Sequence, residues 1–274
     1  MTDPAHKETF LVAIFVQSIL YGVYVATLLH CLGWLLFTME GWRLQRKVNW
    51  PMLVIPMNLF ALETTGLGLN FARIFVYLTG RSQDFVQLGS ANAALKHSTF
   101  LFVDLVLIFR CWVLYAQNWR VVCLPLLLWL SCLVCPFFNT NCYVPDLSFG
   151  QSQQLIWGFI LPPSVVLFFG CHIASNVYAT SAIIYRIVQA TPEKRKTCGH
   201  TTRRVLAESG LLYTLSSILS LIAHVGAASN NSPFAPFHTT LDAVNFCMAG
   251  ISINLIFIGS WQAAEVLELP LPNY

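Results

Sequence analysis

The sequence predicts an all-α membrane protein: a bundle of seven transmembrane helices with its N-terminus outside and its C-terminus cytosolic. Three observations carry that prediction. Seven apolar stretches make up most of the 274-residue chain, each long enough to cross a hydrocarbon core, which takes roughly 20 mostly apolar residues. Composition agrees: 56% of residues are hydrophobic, 10% are charged and mean hydropathy is +0.64, whereas a soluble domain carries about 25% charged residues. Finally, Lys and Arg are unevenly divided between alternate connecting segments. Those segments are too short for a soluble domain, so residues 1–274 read as one seven-helix domain.

The first span lies near Phe10–Phe37. It is too long for a signal-peptide core and follows a weakly charged start containing Asp3, Lys7 and Glu8, so it reads as a retained helix. Trp42 and Trp50 stand ahead of the second span, Pro51–Leu78. The third, Ser98–Tyr115, ends on Trp112 and Tyr115, and Trp119 precedes the fourth, Val121–Phe138. Such rings settle at the headgroup level because one end is apolar and the other forms hydrogen bonds. The fifth span, Leu155–Ile187, contains Pro162-Pro163, which free backbone carbonyls and predict a kink. The sixth is Val205–Ala228, and the seventh, Leu241–Trp261, closes on another interfacial ring.

Orientation follows from the basic residues. The first, third and fifth connections carry Arg43, Arg46, Lys47, Arg120, Lys194, Arg195, Lys196, Arg203 and Arg204, with Arg186 at the adjoining helix end. The opposite side has Lys7, Arg81 and Lys96, a split of ten against three. Positive charge marks the cytosolic side. Asn230-Asn231-Ser232 is a glycosylation acceptor pattern on the exterior side, too close to the membrane for efficient modification. The nine cysteines are mostly within spans, where cysteine packs as a small apolar side chain. They predict neither a disulfide framework nor a metal centre.

Ionisable residues inside the spans are the informative ones. A charge at the bilayer centre costs at least about 2.5–3.5 kcal/mol, so it faces the bundle interior and finds a partner. Glu63 in the second span and Asp104 in the third are at comparable depth. Either they share a proton, bind a cation or face a cationic ligand, or each is separately hydrogen-bonded without net charge. Arg73 and Asp242, near the exterior ends of the second and seventh spans, are a candidate ion pair. Arg110 and Glu208, toward the cytosol on the third and sixth, are a second candidate pair, a lock that activation would release; alternatively Arg110 snorkels alone. His172, Asn176, His224 and Asn245 complete a candidate ligand-binding set with Glu63 and Asp104, or simply join helices. Asn254 belongs to the same polar group.

The third span reads Asp104-Leu105-Val106-Leu107-Ile108-Phe109-Arg110-Cys111-Trp112-Val113-Leu114-Tyr115, followed by Trp119-Arg120-Val121 and Pro125. The fifth ends Asn176-Val177-Tyr178-Ala179-Thr180 with Tyr185-Arg186-Ile187, and the sixth opens Glu208-Ser209-Gly210-Leu211-Leu212-Tyr213-Thr214. Over nearly the whole chain this resembles a family of receptor-like seven-transmembrane integral membrane proteins of mushroom-forming basidiomycete fungi. The resemblance implies the seven-helix topology and directs attention to Asp104, Arg110 and Glu208. It brings no ligand or reaction with it.

Better-known classes fail residue by residue. A rhodopsin-like receptor has an acid before the arginine that closes the third helix; here the run is Phe109-Arg110-Cys111. The Asn-Pro of its seventh helix is missing, because Leu255 follows Asn254. A retinal protein needs a Schiff-base lysine in the seventh helix, and all five lysines read as lying outside the spans. A zinc hydrolase would need histidines in the seventh span, which has none. No catalytic set, cofactor, metal or nucleic-acid partner is expected. The classes left open are a receptor-like protein, with G-protein coupling as one form of it, a small-solute or ion transporter with parallel three-helix repeats, and an accessory membrane protein. For a receptor, Lys194, Arg195, Lys196, Arg203 and Arg204 form a cytosolic patch for a G protein or anionic lipid, or serve only to set topology. The plasma membrane is the expected location, and the ligand an unidentified small molecule.

Overall fold

The computed structural model describes residues 4–38, 43–44, 50–79, 82–115, 117–143, 152–190, 196–228 and 237–267. They form seven helices: α1 Pro4–Leu36, α2 Trp50–Thr79, α3 Ser82–Leu114, α4 Trp119–Tyr143, α5 Ser152–Ala190, α6 Lys196–Ala228 and α7 His238–Leu267. A short antiparallel pair, β1 (Phe37–Thr38) and β2 (Arg43–Leu44), follows α1, with Phe37 opposite Leu44 and Thr38 opposite Arg43. Among the described residues, six helices have segments long and apolar enough to cross a membrane: Thr9–Leu36, Met52–Thr79, Gln87–Leu114, Val165–Arg186, Ala207–Ala227 and His238–Gly259. The apolar stretch of α4 within those residues, Trp119–Val134, is shorter. The chain is thus an all-helical, multi-pass membrane protein.

Helices are the required form because each satisfies its own backbone hydrogen bonds where water is absent. Hydroxyl side chains on the outer surface follow the same logic. Thr64, Thr65 and Ser131 donate to the carbonyls of Phe60, Ala61 and Leu127, each four residues earlier, so no polar hydrogen is left facing lipid. Phe15, Phe71, Phe75, Leu127 and Leu211 stand outward on the same surface. The interior is where the polar side chains collect: Gln17, Glu63, Asn92, Asp104, His172, Asn176, Asn245 and Asn254 are all buried. Apolar outside and polar inside is the arrangement a bilayer imposes on ionisable groups.

Neighbouring helices pack in a ring closed by α1 against α7, with α3 also touching α5 and α7, and α7 also touching α2. In the membrane-crossing segment of α7, 72% of residues are buried, against 22% for α2, which makes α7 the hub. Its seating on α1 depends on Gly250, where an added Cβ would come within 2.7 Å of the Tyr24 ring. Gly210 plays the same part between α6 and α5, since a Cβ there would lie 2.5 Å from Thr180 Cγ2. Small residues that admit a facing side chain are a usual device of helix packing in lipid. The α3–α4 turn is tight. Gln117 has φ 64° and donates from its backbone N–H to the Trp112 carbonyl at 2.9 Å, while the Asn118 side chain caps α4 at the Arg120 N–H. This is helix-terminating and helix-starting chemistry back to back.

Three expectations change. The third helix begins at Ser82, not near Ser98. Ser82 and Asp84 in its first turn favour a helix N-terminus, and the polar run up to His97 is helical, with Gly89, Asn92, Ala93 and Lys96 lining a cavity. Lys96 is therefore a residue of α3 and drops out of the exterior loop count, so the lysines are not all outside the spans; α7 still holds none. The basic stretch after α5 is partly helical, because α6 starts at Lys196. Helix α5 spans Pro162-Pro163, the place where the bend is expected.

Candidate functional site

Toward the N-terminal end of α1, the C-terminal ends of α2 and α6, and the N-terminal ends of α3 and α7, the bundle encloses a cavity of about 350 Å³. That lies within the range of small-molecule sites. Phe10, Ala13, Ile14, Ala93 and Ala243 provide its apolar wall. Its floor is a hydrogen-bonded row across three helices: Asn92 Nδ2 donates to Asn70 Oδ1 at 2.9 Å, and Asn70 Nδ2 donates to Gln17 Oε1 at 2.7 Å. None of these amides stood out from the sequence. For Gln17 and Asn70 the signal was a polar residue within an apolar span; Asn92 falls ahead of the expected third span and carried none.

The charges of the cavity differ from expectation. Asp242 on α7 accepts from Lys96 on α3, not from Arg73, and the two side chains are 18% and 12% exposed. Arg73 on α2 instead places its guanidinium against the rings of Phe10 and Phe85, 5.3 and 5.0 Å from their centroids. The reason is geometric. Once α3 extends upward, Lys96 stands between α2 and α7 and reaches the carboxylate first. The arginine lies alongside Gly89 of α3, where a Cβ would stand at an ordinary contact distance of 3.6 Å from Arg73 Nη2. His224 lines the cavity, its ring 5.8 Å from that of His238 and its Nδ1 2.9 Å from the Ser220 carbonyl.

Below the cavity is a buried three-residue chain. His172 on α5 has Nδ1 2.8 Å from Asp104 Oδ2 and Nε2 2.8 Å from the Tyr213 hydroxyl on α6. All three side chains are buried. One imidazole thereby bridges α3 and α6, with one ring nitrogen donating and the other accepting when the ring is neutral. Phe168 stacks on the His172 ring at 6.2 Å with an interplanar angle of 7°. Ring contacts continue through Phe169 to His224 at 5.3 Å, which connects this chain to the cavity wall. Asp104 and His172 were singled out from the sequence; Tyr213 was not, because a tyrosine in an apolar run reads as packing.

The other candidates separate. Asp104 is taken up by His172, so it forms no shared-proton pair with Glu63. The Glu63 carboxyl is buried on α2 and faces α7, where Oε1 is 3.1 Å from a virtual Cβ on Gly250. Neither of its oxygens has a hydrogen-bond partner among the described residues, and the same holds for the Tyr24 hydroxyl. Asn176 Nδ2 donates to Thr214 Oγ1 at 3.0 Å, which ties α5 to α6. Asn245 Oδ1 accepts from Ser216 and Ser217, both at 2.9 Å, which ties α7 to α6. Asn254 Nδ2 donates to Thr27 Oγ1 at 3.3 Å.

The lock between Arg110 and Glu208 is not formed. Glu208 is on an exposed face of α6 and bonds Arg204 one turn earlier at 2.6 Å. Its hydrogen bond holds the Arg204 guanidinium above its ordinary pKa range. Arg110 points the other way, with its guanidinium carbon 3.5 Å from the centroid of Phe257 on α7, a cation–π contact. Arg186 Nε reaches the Leu114 carbonyl at 3.4 Å, where a cation suits the C-terminus of α3. Of the basic patch, Lys194 and Arg195 lie outside the described residues, as do the side chains of Lys196 and Arg203. Among the described residues no group of three or more His, Cys, Asp or Glu side chains is placed to hold a metal ion.

Comparison with protein-family models, with curated proteins and with solved structures finds no match to this chain.

Proposed function

We propose that the chain is a seven-helix receptor of the plasma membrane, with α4 as a seventh crossing and the cavity between α1, α2, α3, α6 and α7 opening to the exterior. The observation that carries this reading is the packed route from cavity to core. His224 in the cavity wall touches Phe169, Phe169 touches Phe168, and Phe168 stacks on His172, which holds α3, α5 and α6 together through Asp104 and Tyr213. A ligand that moves His224 would press on the residue that sets the spacing of those three helices. The topology agrees with the excess of basic residues on the other side, and the Lys194–Arg204 stretch suits a cytosolic G protein or an anionic headgroup there. The likeness to basidiomycete receptor-type membrane proteins belongs to the same reading.

A transporter is the second reading, favoured by Glu63, whose buried carboxyl faces no hydrogen-bond donor among the described residues. Such a group suits a transient proton or cation. Expression in a fungal host carrying a G-protein reporter, challenged with extracts of mating and environmental cues, separates the two. A response that is lost when Lys194–Arg204 is removed supports the receptor. Reporter silence, with solute uptake that collapses in Glu63→Gln, moves the assignment to a transporter.

A further inference from the structure

We infer that the cavity takes a small anionic ligand, a carboxylate or phosphate group, held by the Arg73 guanidinium with Thr239 and capped by the Phe10 wall. This rests on the reading of the cavity as a ligand site and names the chemistry of what enters it.

The argument is one of charge and unsatisfied donors. Two cations and one acid line the cavity among the described residues: Arg73, Lys96 and Asp242. Asp242 is engaged at close range by Lys96, so Arg73 shares that one acid only at longer range and forms no ion pair of its own among the described residues. The guanidinium touches only aromatic faces, and its Nε is buried with no hydrogen-bond partner among the described residues. A guanidinium whose buried Nε has no hydrogen-bond partner among the described residues is half of a recognition pair, and its natural complement is a carboxylate or phosphate. Thr239 Oγ1, also lining the cavity, is likewise buried without a partner and supplies a further donor. A cationic ligand would meet net positive charge and find its one acid occupied. A neutral ligand would leave the arginine desolvated and unpaired, which is unfavourable.

An anion of this kind has two sources, a free solute or the headgroup of an outer-leaflet lipid, and the test distinguishes them. Purified protein in phosphatidylcholine nanodiscs is melted with four probes that share a ring and differ in charge: benzoate, phenyl phosphate, benzamide and benzylamine. The expected result is a concentration-dependent rise in melting temperature with benzoate or phenyl phosphate and none with the other two. Arg73→Gln should weaken the apparent affinity on the order of tenfold or more, the loss of one charge-assisted hydrogen bond, and Thr239→Val should weaken it less. The headgroup series on the wild-type protein stands even if Arg73→Gln does not fold. Repeating the series with phosphatidic acid in the nanodisc identifies the source. A retained probe effect assigns the site to a free solute, and an abolished one to the lipid. Equal stabilisation by benzamide or benzylamine overturns the anion assignment while leaving the cavity a ligand site. No stabilisation by any probe in either lipid removes the cavity as a ligand site, and the receptor reading built on it.

Discussion

Removing the Lys96 ammonium by Lys96→Met should be among the most damaging single changes in the half of the bundle that holds the cavity. The stem is retained, so packing changes little, but the Asp242 carboxylate loses the partner that holds it. With side chains 12% and 18% exposed, the pair is largely out of water, and removing one member of such a pair costs about 3–5 kcal/mol. The cavity admits some water, so the lower end applies. About 3 kcal/mol corresponds to a loss of roughly 150-fold in the folded-to-unfolded ratio. Asp242→Asn should cost a similar amount by stranding the lysine. The double variant leaves no stranded charge and should be less destabilised than the sum of the two, with a coupling of about 2–3 kcal/mol. Unfolding in mixed micelles, followed by tryptophan fluorescence, gives all four corners of the cycle. A coupling below about 0.5 kcal/mol is the range of independent sites and would refute a direct α3–α7 pair.

Other expectations follow from the same contacts. Asp104→Asn keeps an acceptor for His172, and Arg110→Gln gives up the cation–π contact with Phe257 while keeping a long polar side chain, so both should reach the cell surface in normal amount yet alter signalling. Surface labelling alongside the reporter checks this, and unchanged output in both would remove them from the mechanism. Tyr213→Phe leaves His172 Nε2 without its hydroxyl partner in a buried position and should destabilise by about 1–3 kcal/mol, seen as a lowered melting temperature. Gly250→Val should separate α7 from α1 because its side chain collides with the Tyr24 ring. Low yield of monodisperse protein in size-exclusion chromatography is the expected readout, with partial rescue by Tyr24→Ala.

The helices were legible because a bilayer demands long apolar segments, and that demand shows in composition alone. The start of α3 was not, and the failure has a physical cause. Of residues 82–97, Gly89, Asn92, Ala93 and Lys96 line the cavity while Asp84, Gln87 and Ser90 are exposed, so the hydropathy of the stretch resembles that of a loop. Misplacing them hid Lys96, which in turn made Arg73 look like the partner of Asp242. Helices α2 and α7 are neighbours as expected, but the ion pair joins α3 to α7. Asp104 and His172 could be singled out as ionisable or polar groups in spans. Their contact could not, because they are 68 positions apart and Tyr213 is 41 beyond His172. Arg110 and Glu208 show the opposite error: similar depth suggested a pair, whereas the faces of α3 and α6 they occupy point apart.

The central claim is that the cavity opens to the cell exterior. Thr239→Cys, in a background where Cys142 at the C-terminal end of α4 is replaced by serine, places a thiol on the cavity wall for a membrane-impermeant maleimide. Labelling of intact cells, with none when the reagent reaches only the cytosolic face of inside-out vesicles, is the expected result. Labelling from the cytosolic face alone would contradict the account, because it would turn both the bundle and the proposed ligand site the other way round.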